Sequence, residues 1–128
     1  MMNIHRIDIE KEYNTICEWW KKREFQILPK EMLTDFGYMV DDTAAVWLYP
    51  IVSSKLCWFG FFVTNPEKSP EERDLALDFL MIKCESIARK MGYEVMMTVS
   101  SHPEIRRRLD KHGYKLGQDN SGEFFKGI

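Results

Sequence analysis

The side chains best suited to acid–base chemistry in this sequence stand together late in the chain, at Ser100-Ser101-His102, directly before Pro103. An imidazole titrates near neutrality and can give or take a proton. His102 and Ser100 are therefore the candidate catalytic residues. The competing reading of His102 is an exposed residue at the start of a helix that Pro103 opens. Cys57 has no histidine beside it in sequence, and a buried structural thiol is the simpler reading. His5, His102 and His112 show no metal-ligand spacing with the acidic residues, so no metal is expected. Asp35, Tyr38, Asp41, Asp42 and Tyr49 add ionisable groups on a run of strand-like segments. Arg106-Arg107-Arg108 suits either phosphate contact or a solvated helix face. The formal net charge of −2 favours the solvated face and argues against a nucleic-acid partner.

These groups need a scaffold, and the composition supplies one. With 45% hydrophobic and 13% aromatic residues in 128 positions, the chain can bury the core of one domain, residues 1–128. Three cysteines, at 17, 57 and 84, form no metal or redox pattern and read as reduced thiols of an intracellular protein. No signal peptide is recognisable, and no apolar run approaches the ~18 residues of a membrane span. A soluble, cytoplasmic chain without a membrane partner is expected, as a monomer or homodimer.

The periodicity places the elements. Residues 3 to 8 suit a first strand. Tyr13, Ile16, Cys17 and Trp20 form a helical stripe within about Ile9 to Arg23, with Trp19 at its edge and half exposed. Pro29 to Leu33 allows a short helical turn. Gly37 to Val40, Thr43 to Val52 and Leu56 to Thr64 read as an antiparallel meander with turns at Asp41-Asp42 and Ser53-Ser54-Lys55. Gly60 interrupts the third of these strands, as a bulge or as room for a large aromatic neighbour. Ser69-Pro70-Glu71-Glu72 is a capping box opening a long helix that Gly92 ends. Glu94 to Ser100 alternates as a strand. Pro103 opens a last helix, with Ile105 and Leu109 inward and Gly113 ending it. Tyr114 to Leu116 and Glu123 to Lys126 would make a closing hairpin.

Strand, loop, long helix, strand, short helix and hairpin after a meander is an order that resembles the GNAT superfamily of acyl-CoA N-acyltransferases. Val63-Thr64-Asn65-Pro66 is similar to the exit from that family's cofactor strand. Ala88-Arg89-Lys90-Met91-Gly92-Tyr93 is similar to the end of its CoA helix. Leu109-Asp110-Lys111-His112-Gly113-Tyr114 resembles its late Leu-Tyr-x-x-x-Gly-Phe signature. Trp19-Trp20 and the segment from Glu72 to Leu80 look particularly like short GNAT-like proteins of phage genomes. The resemblance spans nearly the whole chain and implies an α/β fold. That fold is a mixed, mostly antiparallel sheet of six to seven strands with helices on both faces.

The resemblance also implies a function: N-acyl transfer from acetyl-CoA, as co-substrate, directly to an amine of unknown identity. In the family the pantetheine arm lies between two splayed strands, here Leu56 to Thr64, bulged at Gly60, and Glu94 to Ser100. The pyrophosphate lies at the start of the long helix, where free amides and the helix dipole favour anions. The implied cofactor-binding residues are Phe61, Phe62, Val63, Lys68, Arg73, Asp74, Leu75 and Ala76. The sequence departs from the family at three points. The glycines of the Gln/Arg-x-x-Gly-x-Gly loop are replaced by Ala76 and Asp78, or by Leu75 and Leu77 in the alternative register. Leu109 stands where the family often has a tyrosine serving as general acid toward the leaving thiolate, and His102 where it commonly has an asparagine. Two readings of the helix start remain. Either Pro66 to Ser69, with Lys68 and Arg73, holds the anion, or the turn is a solvated, salt-bridged helix end. In the second case the chain is a GNAT-fold binding or regulatory protein that has lost CoA use.

Overall fold

The computed structural model describes residues 1–128. A five-stranded sheet runs in the order β1 (Ile4–Arg6), β2 (Gly37–Val40), β3 (Ala44–Pro50), β4 (Leu56–Thr64) and β5 (Val95–Met97). The first three pairings are antiparallel and β4 pairs with β5 in parallel. Three helices accompany it: α1 (Ile9–Lys22), α2 (Pro70–Lys90) and α3 (Pro103–Lys111), with a 3-10 turn at Lys30–Met32. No helix is long and apolar enough to cross a membrane.

Strand alternation divides the core in two. Ala44, Val46 and Leu48 of β3, with Cys57 and Phe59 of β4, face α2 through Ala76, Leu77, Leu80, Cys84 and Ala88. Ala45 and Trp47 of β3, with Met39 and Val63, face α1 through Ile16, Trp19 and Trp20. The near-continuous apolar run of β3 follows from burial on both faces. Trp19 is buried, 4% exposed. The half-exposed position expected for it is corrected because the wide α1 face takes both tryptophans against the sheet.

The local signals at element ends are realised. Asp8 caps α1 by accepting the Glu10 amide. Asp41 and Asp42 turn the β2–β3 connection at φ of 47° and 51°, a conformation aspartate tolerates better than most residues. Ser69 and Glu72 cap each other's amides at the start of α2.

The sheet has five strands, not six or seven. The hairpin expected from Tyr114 to Lys126 does not form, and Leu116, Phe124 and Phe125 are exposed. Its template is too short. β5 covers Val95–Met97 rather than Glu94 to Ser100 and leaves β4 after three paired residues. A two-stranded hairpin without a sheet to extend is marginal in water.

Glycine at position 37 is required by a close approach. A Cβ there would lie 2.7 Å from Cδ1 of Trp47, itself 1% exposed and packed on Trp20 with ring centroids 5.8 Å apart. The indole has nowhere to retreat. Gly37→Ala should cost about 1–3 kcal/mol by overpacking. The measure is a lowered urea midpoint with an unchanged slope.

Candidate functional site

The parting of β4 from β5 makes the site. Leu56, Cys57 and Trp58 pair with Val95, Met96 and Met97, and the pairing stops there. On its other side β4 keeps pairing with β3 but changes register. Trp47 faces Gly60 and Ala45 faces Val63, so Phe61 and Phe62 together oppose Val46. Phe61 adopts φ of 58°, a left-handed conformation unusual for a bulky residue. The bulge thus sits one residue beyond Gly60. The glycine accommodates the Trp58 ring, which a Cβ would approach to 2.6 Å. Both expectations for Gly60 are therefore met in part. A bulge bends and twists its strand, and this one turns the far half of β4 away from the chain after β5.

A cavity of about 910 Å³ opens in the gap. One wall is β4 through Trp58, Phe61, Phe62, Val63 and Thr64, and the opposite wall is Val99 to Ile105. Arg73, Asp74 and Leu77 of α2 close one end, and Trp20, Arg23 and Leu28 contribute from the α1 side. Of the residues expected at the site, Phe61, Phe62, Val63, Arg73, Asp74, Ser100 and His102 line this one cavity. Lys68, Leu75 and Ala76 are not in its lining. Leu75 points to solvent at 60% exposure and Ala76 is in the core at 2%. Once the helix begins at Pro70, its 3.6-residue period turns these two away from the cavity face. Lys68 lies near Glu72, whose carboxyl is held below its usual range by hydrogen bonds from Ser69, with a smaller contribution from Lys68.

His102 is the N-cap of α3, and its Nδ1 accepts the Glu104 amide at 3.2 Å. In a neutral ring that fixes the remaining proton on Nε2. Ser100 Oγ accepts the His102 amide at 3.2 Å, which leaves its own hydroxyl proton free to be donated. Other candidates are tied elsewhere. Tyr49 donates to the Met32 carbonyl at 2.6 Å, and burial pushes its hydroxyl up to about 12. Cys57 is buried, and burial raises its thiol against a smaller opposing backbone hydrogen bond.

The start of α2 departs from an anion cradle. The Ser69 amide donates to Glu72, the Glu72 amide donates to Ser69 Oγ, and the Arg73 amide reaches the Ser69 carbonyl. Lys68 donates its amide to the Asn65 carbonyl, and Pro70 has none to give. Glu71 alone keeps an amide without a protein acceptor. The splayed strands and the cavity fit an extended arm such as pantetheine; the helix start does not offer a backbone nest for the diphosphate that joins such an arm to a nucleotide in coenzyme A.

Two of the three arginines keep to the expected solvated face, with side-chain exposures of 37% at Arg106 and 72% at Arg107, and the third turns inward. Arg106 pairs with Asp119 and Arg107 with Glu104, while Arg108 is buried, 6% exposed. Arg108 bonds Asp74 at 2.7 Å and Asp78 at 2.8 Å, joining α3 to α2. His112 and Lys111 reach the same Asp78 at 2.8 and 3.1 Å. Burial alone would raise the Asp78 carboxyl. Hydrogen bonds from His112, Arg108 and Lys111, with the Arg108 charge, outweigh it and hold the group at about 2. Asp78, at a glycine position of the family's loop, therefore presents its charge to Arg108, as does Asp74. Arg23, at the end of α1, also lines the cavity and was not singled out from sequence. It meets the site only through the tertiary contact of α1 with β4, donating to Thr64 Oγ1 at 2.7 Å.

No protein-family profile and no curated protein matches the sequence. Solved structures do. A crystal structure described as a probable acetyltransferase aligns over 100% of this chain and 98% of its own, at 11% identity and a TM-score of 0.68. A predicted acetyltransferase from Clostridium acetobutylicum, solved with acetyl-CoA, aligns over 98% and 96%, at 13% identity and a TM-score of 0.63. A transcriptional regulator from Bacillus halodurans C-125 aligns over 98% and 100%, at 9% identity and a TM-score of 0.70.

The Asp78 cluster gives a pH signature. A carboxyl lowered in the folded state contributes stability above its unfolded value near ~4, lost as pH falls toward ~2. The shift corresponds to about 2 kcal/mol at neutral pH. Arg108→Met should cost about 1–3 kcal/mol at pH 7 by removing the buried guanidinium's bonds to Asp74 and Asp78, while Asp78 keeps His112 and Lys111. Urea unfolding should show the gap between variant and parent narrowing from about pH 4 downward.

Proposed function

We propose that this chain, whose fold is that of the GNAT acetyltransferases, is an acyl-CoA-dependent N-acyltransferase. The observation that carries the reading is the cavity opened by the bulge at Phe61 and Phe62, where two parallel strands part after three paired residues. The backbone of a strand released from its neighbour can hydrogen-bond an extended amide-containing arm as a strand would. Acetyl-CoA, the co-substrate, supplies the thioester.

Transfer forms a bond from the acceptor nitrogen to the carbonyl carbon and breaks the carbon–sulfur bond. The amine releases a proton to solvent and the leaving thiolate takes one up. His102 and Ser100 stand on the cavity wall with donor protons, on Nε2 and Oγ, so their proposed role is to protonate the thiolate rather than deprotonate the amine. Capping holds the imidazole in the donor tautomer. Phe61, Phe62 and Val63 form the wall along the arm, and Arg73 stands at its phosphate end. The acceptor enters from the side where Tyr49, Trp58 and Phe61 meet edge to face.

A second reading rests on the closed capping box: a GNAT-fold binding or regulatory protein that no longer uses CoA. Calorimetric titration with acetyl-CoA separates the two. The enzyme reading expects saturable binding, abolished by Ser100→Trp, which fills the gap between the strands, with the melting temperature unchanged. No heat at millimolar acetyl-CoA gives the protein to the second reading.

A further inference from the structure

Three arginines line the cavity, and they differ in what balances them. Arg108 is neutralised by Asp74 and Asp78. Arg23 and Arg73 have no carboxylate partner. Arg23 donates through Nη2 and Nε to the hydroxyl and carbonyl of Thr64, at 2.7 and 3.4 Å. Arg73 donates through Nη1 to the Lys68 carbonyl at 2.7 Å. Nearby carboxylates are committed elsewhere: Glu67 to Lys22, Glu72 to the Ser69 cap and Asp74 to Arg108.

Both guanidiniums line the same cavity. Arg23 is lowered first by burial and then by the charge of Arg73. Two half-buried like charges lining one cavity, held by neutral oxygens, leave a site with a net positive field. Such an arrangement is destabilising by itself and is relieved by an anion. Each fork retains N–H donors beyond those already used, and a guanidinium matches phosphate oxygens in pairs.

We propose that Arg23 and Arg73 form a side-chain clamp for a diphosphate at the α2 end of the cavity, in place of the backbone amides that the Ser69–Glu72 box occupies. The clamp draws one arm from the end of α1 and one from the first turn of α2, so the anion bridges two elements otherwise joined through β4. It rests on the acyl-CoA reading for the identity of its ligand, whereas the charge imbalance stands without it.

The test compares acetyl-CoA with acetyl-pantetheine, which lacks the diphosphate, by calorimetry on the full chain. Arg23→Gln and Arg73→Gln should each weaken acetyl-CoA binding roughly tenfold or more, while acetyl-pantetheine binds as to the parent. Arg89→Gln, on the exposed far end of α2, should change neither. Unchanged acetyl-CoA affinity in both clamp variants overturns the proposal, as does an equal loss for both thioesters, which would mark a structural role. If the parent protein binds neither thioester, the acyl-CoA reading fails and inorganic pyrophosphate decides on the clamp. Saturable binding lost in Arg23→Gln upholds it, and no binding overturns it.

Discussion

One irregularity in β4 governs the molecule. That strand is shared by an antiparallel ladder to β3 and a parallel pairing to β5. The one extra residue of its bulge, where Phe61 and Phe62 together oppose Val46, keeps the first and ends the second. Everything at the site follows: the gap, the short β5, and the run of chain from Val99 to His102 on the opposite wall. Phe61 pays for it with a left-handed backbone, a cost of about 1–2 kcal/mol for an L-residue. Its ring meets Trp58 and Tyr49 at centroid distances of 5.3 and 5.9 Å. Edge-to-face contacts contribute ~0.5–1.5 kcal/mol each, enough to offset that strain. The same aromatic group therefore holds the bulge and lines the cavity.

The start of α2 shows a different solution to charge from the one its sequence suggests. Its acidic residues would oppose an anionic ligand if they faced the cavity unpaired. Glu72 is turned into the cap, and Asp74 and Asp78 are drawn to Arg108. This arrangement also fixes α3, whose few apolar residues would anchor it weakly, and with α3 the segment carrying Ser100 and His102. Placement of the candidate donors is thus tied to an ion-pair cluster whose Asp74 and Arg108 themselves line the cavity.

How much of this was legible in the sequence depended on distance along the chain. The capping box at Ser69 to Glu72, the Asp41-Asp42 turn and the bounds of β2 and β4 are written in residues one to three positions apart, and the structure follows them. Gly60 pointed within one residue of the bulge. The Arg108 cluster joins residues 30 and 34 positions apart, and three consecutive arginines give no hint of which one turns inward. Arg23 reaches Thr64 across 41 positions, and nothing local distinguishes it from the solvent-facing lysines before it. The closing hairpin was misjudged for the converse reason. Its residues favour strands, but strand formation depends on a template that β5 does not provide.

The two borders of the sheet share a property. β1 and β5 are each three residues long, flanking inner strands of up to nine. An open border strand is a ladder of unpaired amides and carbonyls on which another chain can polymerise, and brevity is one way proteins blunt it. Here a foreign strand would find few consecutive rungs on either side, and at β1 it would meet the polar His5 and Arg6. The departure of β5 that opens the cavity thus has a second effect: it leaves an apolar sheet with borders too short to seed fibrous self-association.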